Sequence, residues 1–253
     1  MTIKERKVLA VITGASRGIG RETVLQLSKI VAKGSTFLIT ARTATKLDEL
    51  KDEIKCSVEG IDIHVLACDA EKLNSGKILE LQGALSSLIG TVGDVTRRGV
   101  EISSSDDWHN YLQINFVSMI LINNSVLSTI PEQVAPIRYI LNVTSLLAIK
   151  AFPSMTQYSV GKAAREAFFR ALAVEERNLR ILNYSPGPVQ TDMHDEIAKK
   201  SYDEDMRRSF QARANSTEVN KRTLSPKETV EKMLSILEKG EFESGSRHDF
   251  FDL

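Results

Sequence analysis

Tyr158 and Lys162 stand four residues apart in QYSVGK, and Ser145 stands thirteen residues before the tyrosine. On a helix, positions i and i+4 lie one turn apart on one face, so phenol and ammonium share their surroundings. A free tyrosine titrates near pH ~10 and carries protons poorly at neutral pH. A neighbouring ammonium favours the phenolate and is expected to lower that pKa. The Ser145 hydroxyl, at the end of a strand, can hydrogen-bond the same substrate oxygen. Together the three suit proton transfer to a carbonyl oxygen. A Tyr-x-x-x-Lys pair by itself is more often an exposed pair on an ordinary helix, so its weight rests on a second motif.

That motif is Thr13-Gly14-Ala15-Ser16-Arg17-Gly18-Ile19-Gly20, directly after the apolar run VLAVIT and directly before a helical pattern. Glycines at a strand-to-helix turn permit tight turning and close backbone approach. The amides opening the helix then face an anion, favoured by the positive end of the helix dipole. The spacing predicts a dinucleotide phosphate site at Gly14, Ala15, Ser16, Arg17, Gly18, Ile19 and Gly20, against the plainer reading of a βα turn. At the end of the second strand, where an acid usually holds the ribose 2′-hydroxyl, the chain has Thr40-Ala41-Arg42-Thr43. Arg42, with Arg17, suits a 2′-phosphate clamped by charge-assisted hydrogen bonds, so NADPH/NADP+ is the expected cofactor. Asp69, followed by Ala70, ends the third strand and reads equally well as an adenine contact or as a helix N-cap.

The elements that must position these residues alternate in βαβ rhythm. VLAVIT (8–13), a helix from about Arg21, TFLIT (36–40), a helix over 43–58 and IDIHVLACD (61–69) come first. A helical pattern through Leu73, Ile78, Leu79, Leu81 and Leu85 follows. Then come a long helix from about Asp106 to Ile130, a strand over 138–145, a helix from near Thr156, a strand over 180–187, and amphipathic stretches at about 203–213 and 226–239. No repeat or linker interrupts the order. It predicts one α/β domain over 1–253, a doubly wound Rossmann-type parallel sheet with helices on both faces and a substrate-binding segment at about 188–253. The charge-dense segment 190–225 is expected to be the most mobile part, placed where a lid could sit.

Of the 253 residues 42% are hydrophobic, enough for one large core, and thirty-three basic residues balance thirty-three acidic ones. No net field draws the chain to nucleic acid or to an anionic membrane, and no stretch approaches the ~18 apolar residues of a membrane span. The N-terminus resembles neither a signal nor a transit peptide. Cys56 and Cys68 lack metal-ligand spacing, and His64, His109, His194 and His248 read as structural or exposed, so no metal is expected and a cytoplasmic setting is the default.

TGASRGIG with the Ser145, Tyr158, Lys162 set resembles the short-chain dehydrogenase/reductase family. NVTSLLAIKAF, YSVGKAAREAFF, ILNYSPGPVQTDM and the ending SGSRHDFFDL are similar to its pterin-reducing branch, over nearly the whole chain. The resemblance implies reduction of a pterin side-chain carbonyl by NADPH. Tyr158 would give the proton, Lys162 would hold the nicotinamide ribose, and Ser145, with the adjoining Leu146, would face the carbonyl. Asn115 matches the family asparagine that anchors a water beyond the lysine; its plainer reading is a helix-interior amide bonding its neighbours. Gly187, Val189, Thr191 and Met193 match the segment along the nicotinamide end. Asp249 matches the aspartate that accepts from the pterin's amino and ring N–H groups, although a tail position by itself reads as a solvated charge. A homodimer through the helices around 106–130 and 156–174 is likewise implied.

One segment departs from the family pattern. The Asn-Asn-Ala-Gly strand end is missing, and LIGTV (88–92) before Gly93-Asp94-Val95 is all that remains for a central strand. LIGTV is expected to form a short strand beside the first. Two rival readings follow: a catalytically impaired NADP-binding relative, and a reductase of diketones or other small carbonyls.

Overall fold

Why the chain turns into layers is visible in its first three strands. In the computed structural model, which describes residues 3–68, 92–130, 138–218 and 221–252, β1 (Leu9–Thr13), β2 (Ser35–Ala41) and β3 (Ile61–Ala67) run parallel. Their register sets Leu9 beside Thr36 and Ser35 beside Ile61. Between them run α1 (Gly18–Ile30) and α2 (Ala44–Ser57). Same-handed crossovers moving in one direction put both helices on one face.

The long helical pattern near 106–130 forms α3 (Ser105–Leu112), one π turn (Gln113–Val117) and α4 (Ser118–Thr129). A second parallel ladder follows: β4 (Arg138–Val143), β5 (Leu179–Ser185) and β6 (Arg247–Asp249), with α5 (Thr156–Glu175) crossing between the first two. Alternation along the strands sends side chains into two shared cores. Ile12, Phe37, Ile63, Val143 and Leu182 pack with α1, α2 and α8 (Pro226–Lys239). Val11, Ile140 and Ile181 pack with α4 and α5 on the other face. The expected α/β architecture, parallel strands with helices on both faces, is therefore present. Among the described residues the hydrogen-bonded strands form two ladders, β1-β2-β3 and β4-β5-β6.

Residues 88–91, Asp69, Ala70 and the helical pattern through Leu73 to Leu85 lie outside the described residues. Of LIGTV only Val92 is described. It is buried in loop conformation against Val95, Met155, Ile197 and Met206. No ladder joins β1 to β4 among the described residues.

The charge-dense stretch 190–225 is largely helical: α6 (Asp192–Lys200) and α7 (Glu204–Asn215). The Thr191 hydroxyl accepts from the His194 amide at 3.4 Å, and the Asp203 carboxylate accepts from the Met206 amide at 2.8 Å, so each helix carries a side-chain N-cap. α6 is too short to give a clear period in the sequence. β6 has only three residues, and its pairing with β5 depends on tertiary placement.

Candidate active site

The C-terminal ends of β1, β2, β4 and β5 open on one cleft of about 1140 Å³, where a parallel sheet of this topology binds ligand. At its floor the turn from β1 to α1 needs its glycines. Gly14 and Gly18 have φ of 63° and 56°, and a Cβ on Gly20 would stand 2.4 Å from the Gly14 carbonyl oxygen. The Arg17 side chain makes no cap hydrogen bond to α1, which leaves the first amides of a thirteen-residue helix to an anion. The Ala15 amide donates to the Thr40 carbonyl at 3.1 Å, fixing the loop to the end of β2. Arg42 and Lys46 line the cleft just past that end. Arg17 is held by Asp192 across the cleft, a pair more than half exposed at both ends, and such exposed pairs are weak enough to exchange for a phosphate. These features fit a nicotinamide dinucleotide.

The chemical residues face this floor from β4 and α5. Ser145, in extended backbone just after β4, accepts from the Leu147 amide at 3.2 Å and caps the short turn Leu146–Ala148. Tyr158 and Lys162 lie in the first turns of α5, as their spacing predicts. Lys162 Nζ is 5.4 Å from the Tyr158 ring centroid and donates to the Val143 carbonyl at 2.7 Å.

The electrostatics correct one expectation. Burial pushes the Tyr158 hydroxyl above its ordinary value; a Ser145 hydrogen bond and the Arg165 guanidinium pull it down by less. Burial likewise holds Lys162 well below the usual lysine range, with the Arg165 charge adding to the effect and Glu166 opposing it. Taking each group out of water is the largest influence on both. Tyr158 is therefore a protonated phenol at neutral pH.

Arg165 was not legible as a site residue. It is 1% exposed, its pKa brought down to about 10 by burial, and its Nε and Nη2 donate to Asn142 Oδ1 at 3.0 and 2.8 Å. Asn142 in turn donates to Asn183 Oδ1 at 2.8 Å. Its spacing, seven residues after Tyr158 on one helix face, was the available signal. Burial was not.

Asn115 lies in the π turn, which packs on α5, and its Nδ2 donates to the Tyr111 carbonyl at 2.8 Å. A π turn widens the helix locally and is frequent at functional positions. Asn115, Ala15 and Gly20 stand behind the cleft lining. The other described candidates line it: Ser145, Leu146, Tyr158, Lys162, Gly14, Ser16, Arg17, Gly18, Ile19, Arg42, Gly187, Val189, Thr191, Met193 and Asp249. Asp249, on β6, brings a carboxylate 104 residues distant in sequence from Ser145 into the same cleft. His194 also lines it. Neither of its buried ring nitrogens has a hydrogen bond of normal length, Nδ1 standing 3.8 Å from Asp195 Oδ1; Phe210 packs 4.9 Å away, and burial holds its pKa below the ordinary imidazole value against the opposing pull of Asp195. Among the described residues no group of His, Cys, Asp and Glu is placed to hold a metal ion.

Comparison with known proteins gives the chain's family and fold relatives. The family model for short chain dehydrogenase matches residues 8–201. Sepiapterin reductase of Xenopus tropicalis is 35% identical over 256 residues, covering 97% of this chain and 97% of its own. The Bos taurus sepiapterin reductase is 32% identical over 260 residues, covering 97% and 95%. Among solved structures, KRED1-Pglu enzyme superposes with a TM-score of 0.80 at 24% identity, covering 96% of this chain and all of its own. L-sorbose reductase from Gluconobacter frateurii, solved with NADPH and L-sorbose, gives 0.80 at 21% identity, covering 98% and 97%. At these identities the structural likeness is one of fold.

Proposed function

The chain belongs to the short-chain dehydrogenase family and is an NAD(P)-dependent oxidoreductase, and from that premise we propose that it reduces the side-chain carbonyl of a pterin such as sepiapterin with NADPH. The observation that carries the reading is the meeting of Ser145, Tyr158 and Lys162 with Asp249 in one cleft. NADPH, which the loop at 13–20 with Arg42 and Lys46 would hold, would supply the hydride that the carbonyl carbon takes up. Tyr158, kept protonated by burial, gives its proton to the carbonyl oxygen as the C=O bond becomes a C–OH bond. The Ser145 hydroxyl holds that oxygen within reach of the phenol. After transfer, the Tyr158 phenolate is offset by the buried Arg165 charge. Lys162, hydrogen-bonded to the Val143 carbonyl and 5.4 Å from the Tyr158 ring centroid, would hold the ribose hydroxyls of the cofactor and return a proton to the tyrosine. Arg42 and Lys46 support the choice of NADPH over NADH, since a 2′-phosphate is the ligand two cations suit. Asp249 supports a ring with adjacent amino and N–H donors, because one carboxylate can accept from both.

The same reading pairs two copies through the helices around 106–130 and 156–174, where Val117 of the π turn and Val160 and Val174 of α5 are exposed apolar side chains. Light scattering on the purified protein reports that state directly.

The test is NADPH oxidation followed by absorbance, with sepiapterin and with a simple diketone as substrates. Turnover of sepiapterin is expected, with the higher kcat/KM. Turnover of the diketone alone would assign the chain to small-carbonyl reduction, and NADPH binding without turnover of either would leave a cofactor-binding relative. Tyr158→Phe is expected to lower kcat by about 10²–10⁴, the usual weight of general acid catalysis, while NADPH affinity stays within threefold. An active phenylalanine variant would remove Tyr158 from the role of proton donor.

A further inference from the structure

The carboxylate proposed to grip the substrate ring stands on weak support. Among the described residues Asp249 ends a three-residue strand paired on one side only, Asn183 beside Arg247 and Ser185 beside Asp249. A strand that short does not hold a side chain to the fraction of an ångström that recognition needs. The strand's first residue, Arg247, makes up the difference. Its Nη1 donates to the Ser145 carbonyl at 2.9 Å and to Glu166 of α5, and its Nη2 lies 3.6 Å from Asp249 Oδ2. One planar guanidinium thus touches the serine just after β4, the helix that carries Tyr158 and Lys162, and the Asp249 carboxylate.

We infer that Arg247 is a positioning residue that fixes Asp249 relative to Ser145 and α5, so that ring binding and carbonyl placement are set by one rigid group. The inference rests on the pterin reading of Asp249 given above. Three features support it. Glu166 is 2% exposed and lies four residues after Lys162, on the same face of α5, and a carboxylate so placed is retained only with a cation against it. Arg170 stands 3.8 Å from Glu166 and is itself mostly exposed, and Lys162, which also feels the Glu166 charge, donates instead to the Val143 carbonyl, so neither replaces Arg247. Buried Nη2 has no hydrogen bond of normal length and lies nearest Asp249 Oδ2, while Asp249 Oδ1 accepts from the Phe251 amide at 3.2 Å, so the guanidinium and one backbone amide together orient the carboxylate. Without the guanidinium, Glu166 and Asp249 would face the gap as two like charges. A lysine keeps the charge but reaches one of the three partners at a time.

The test is a double-mutant cycle on the intact protein with NADPH and sepiapterin. Arg247→Met is expected to raise KM for sepiapterin at least tenfold with kcat changed less than threefold, and Arg247→Lys to recover less than half of that loss. Asp249→Ala raises KM by itself. If Arg247 acts through Asp249, adding Arg247→Met to Asp249→Ala changes KM less than twofold. An additive double variant, or an equal fall in kcat and rise in KM, would make Arg247 a structural residue and overturn the inference. Should Arg247→Met not fold, Glu166→Gln, which weakens the anchor while leaving Arg247 present, carries the same cycle. Wild-type protein that does not turn over sepiapterin overturns the pterin reading and this inference with it, whereas turnover with an additive cycle overturns the inference alone.

Discussion

Gly20→Ala adds a single carbon to the phosphate loop, and the structure says how far that carbon must move its neighbours. An ideal Cβ at Gly20 lies 2.4 Å from the Gly14 oxygen, 2.8 Å from the Gly14 carbonyl carbon and 3.1 Å from the Thr13 oxygen. Ordinary contact begins near 3.4 Å, so α1 and the end of β1 must separate by about 1 Å. All three atoms are backbone, and no side chain can swing aside. Overpacking of this kind costs about 1–3 kcal/mol, and backbone against backbone puts it at the upper end. For a chain of this size that corresponds to a fall in Tm of roughly 4–10 °C. The same displacement moves the α1 amides off the phosphate. A tenfold loss of affinity is about 1.4 kcal/mol, so NADPH binding, read by fluorescence titration, is expected to weaken at least tenfold. Differential scanning fluorimetry and that titration are run on the same preparation. A variant with unchanged Tm and unchanged NADPH affinity would refute the close approach of β1 and α1 and, with it, the account of why glycine stands at position 20.

Two further outcomes follow from single side chains. Arg42→Ala removes an exposed cation at the cleft edge and is expected to weaken NADPH by about 10–100-fold, the worth of a charge-assisted hydrogen bond, while NADH changes less than threefold; equal loss for both cofactors would count against a 2′-phosphate site. His194 is buried with its pKa held below the ordinary imidazole value, first by burial, so the unfolded chain binds its proton more readily than the folded one. Its contribution to stability is complete above about pH 6.5 and is lost as pH falls from there through the lowered folded value. Urea unfolding at pH 7.5 and 5.5 is expected to show a smaller acid-induced loss in His194→Phe than in the wild type, and identical losses would mean that the ring is protonated in the folded state too.

The sequence determined what depends on near neighbours along the chain. Alternating and 3.6-residue periods placed β1 to β5 and the long helices, because side-chain periodicity follows from backbone geometry alone. The loop at 13–20 and the Tyr158–Lys162 pair were legible for the same reason: glycine at a strand-to-helix turn and an i,i+4 pair are local facts. The tertiary structure decided everything that rests on burial or on distant partners. Whether Lys162 lowers the Tyr158 pKa could not be read from their spacing, since the desolvation that wins comes from residues of other elements. Arg165 and Arg247 look like surface charges in the sequence and become anchors, the first buried and the second partly buried, only when Asn142, 23 residues before the one, and Glu166, 81 residues before the other, fold against them. α6 and β6 were too short for any period, and they form because Thr191 caps the one and β5 pairs with the other. A motif names the groups that can react; which of them is charged, and what holds it still, is fixed by the water that folding removes.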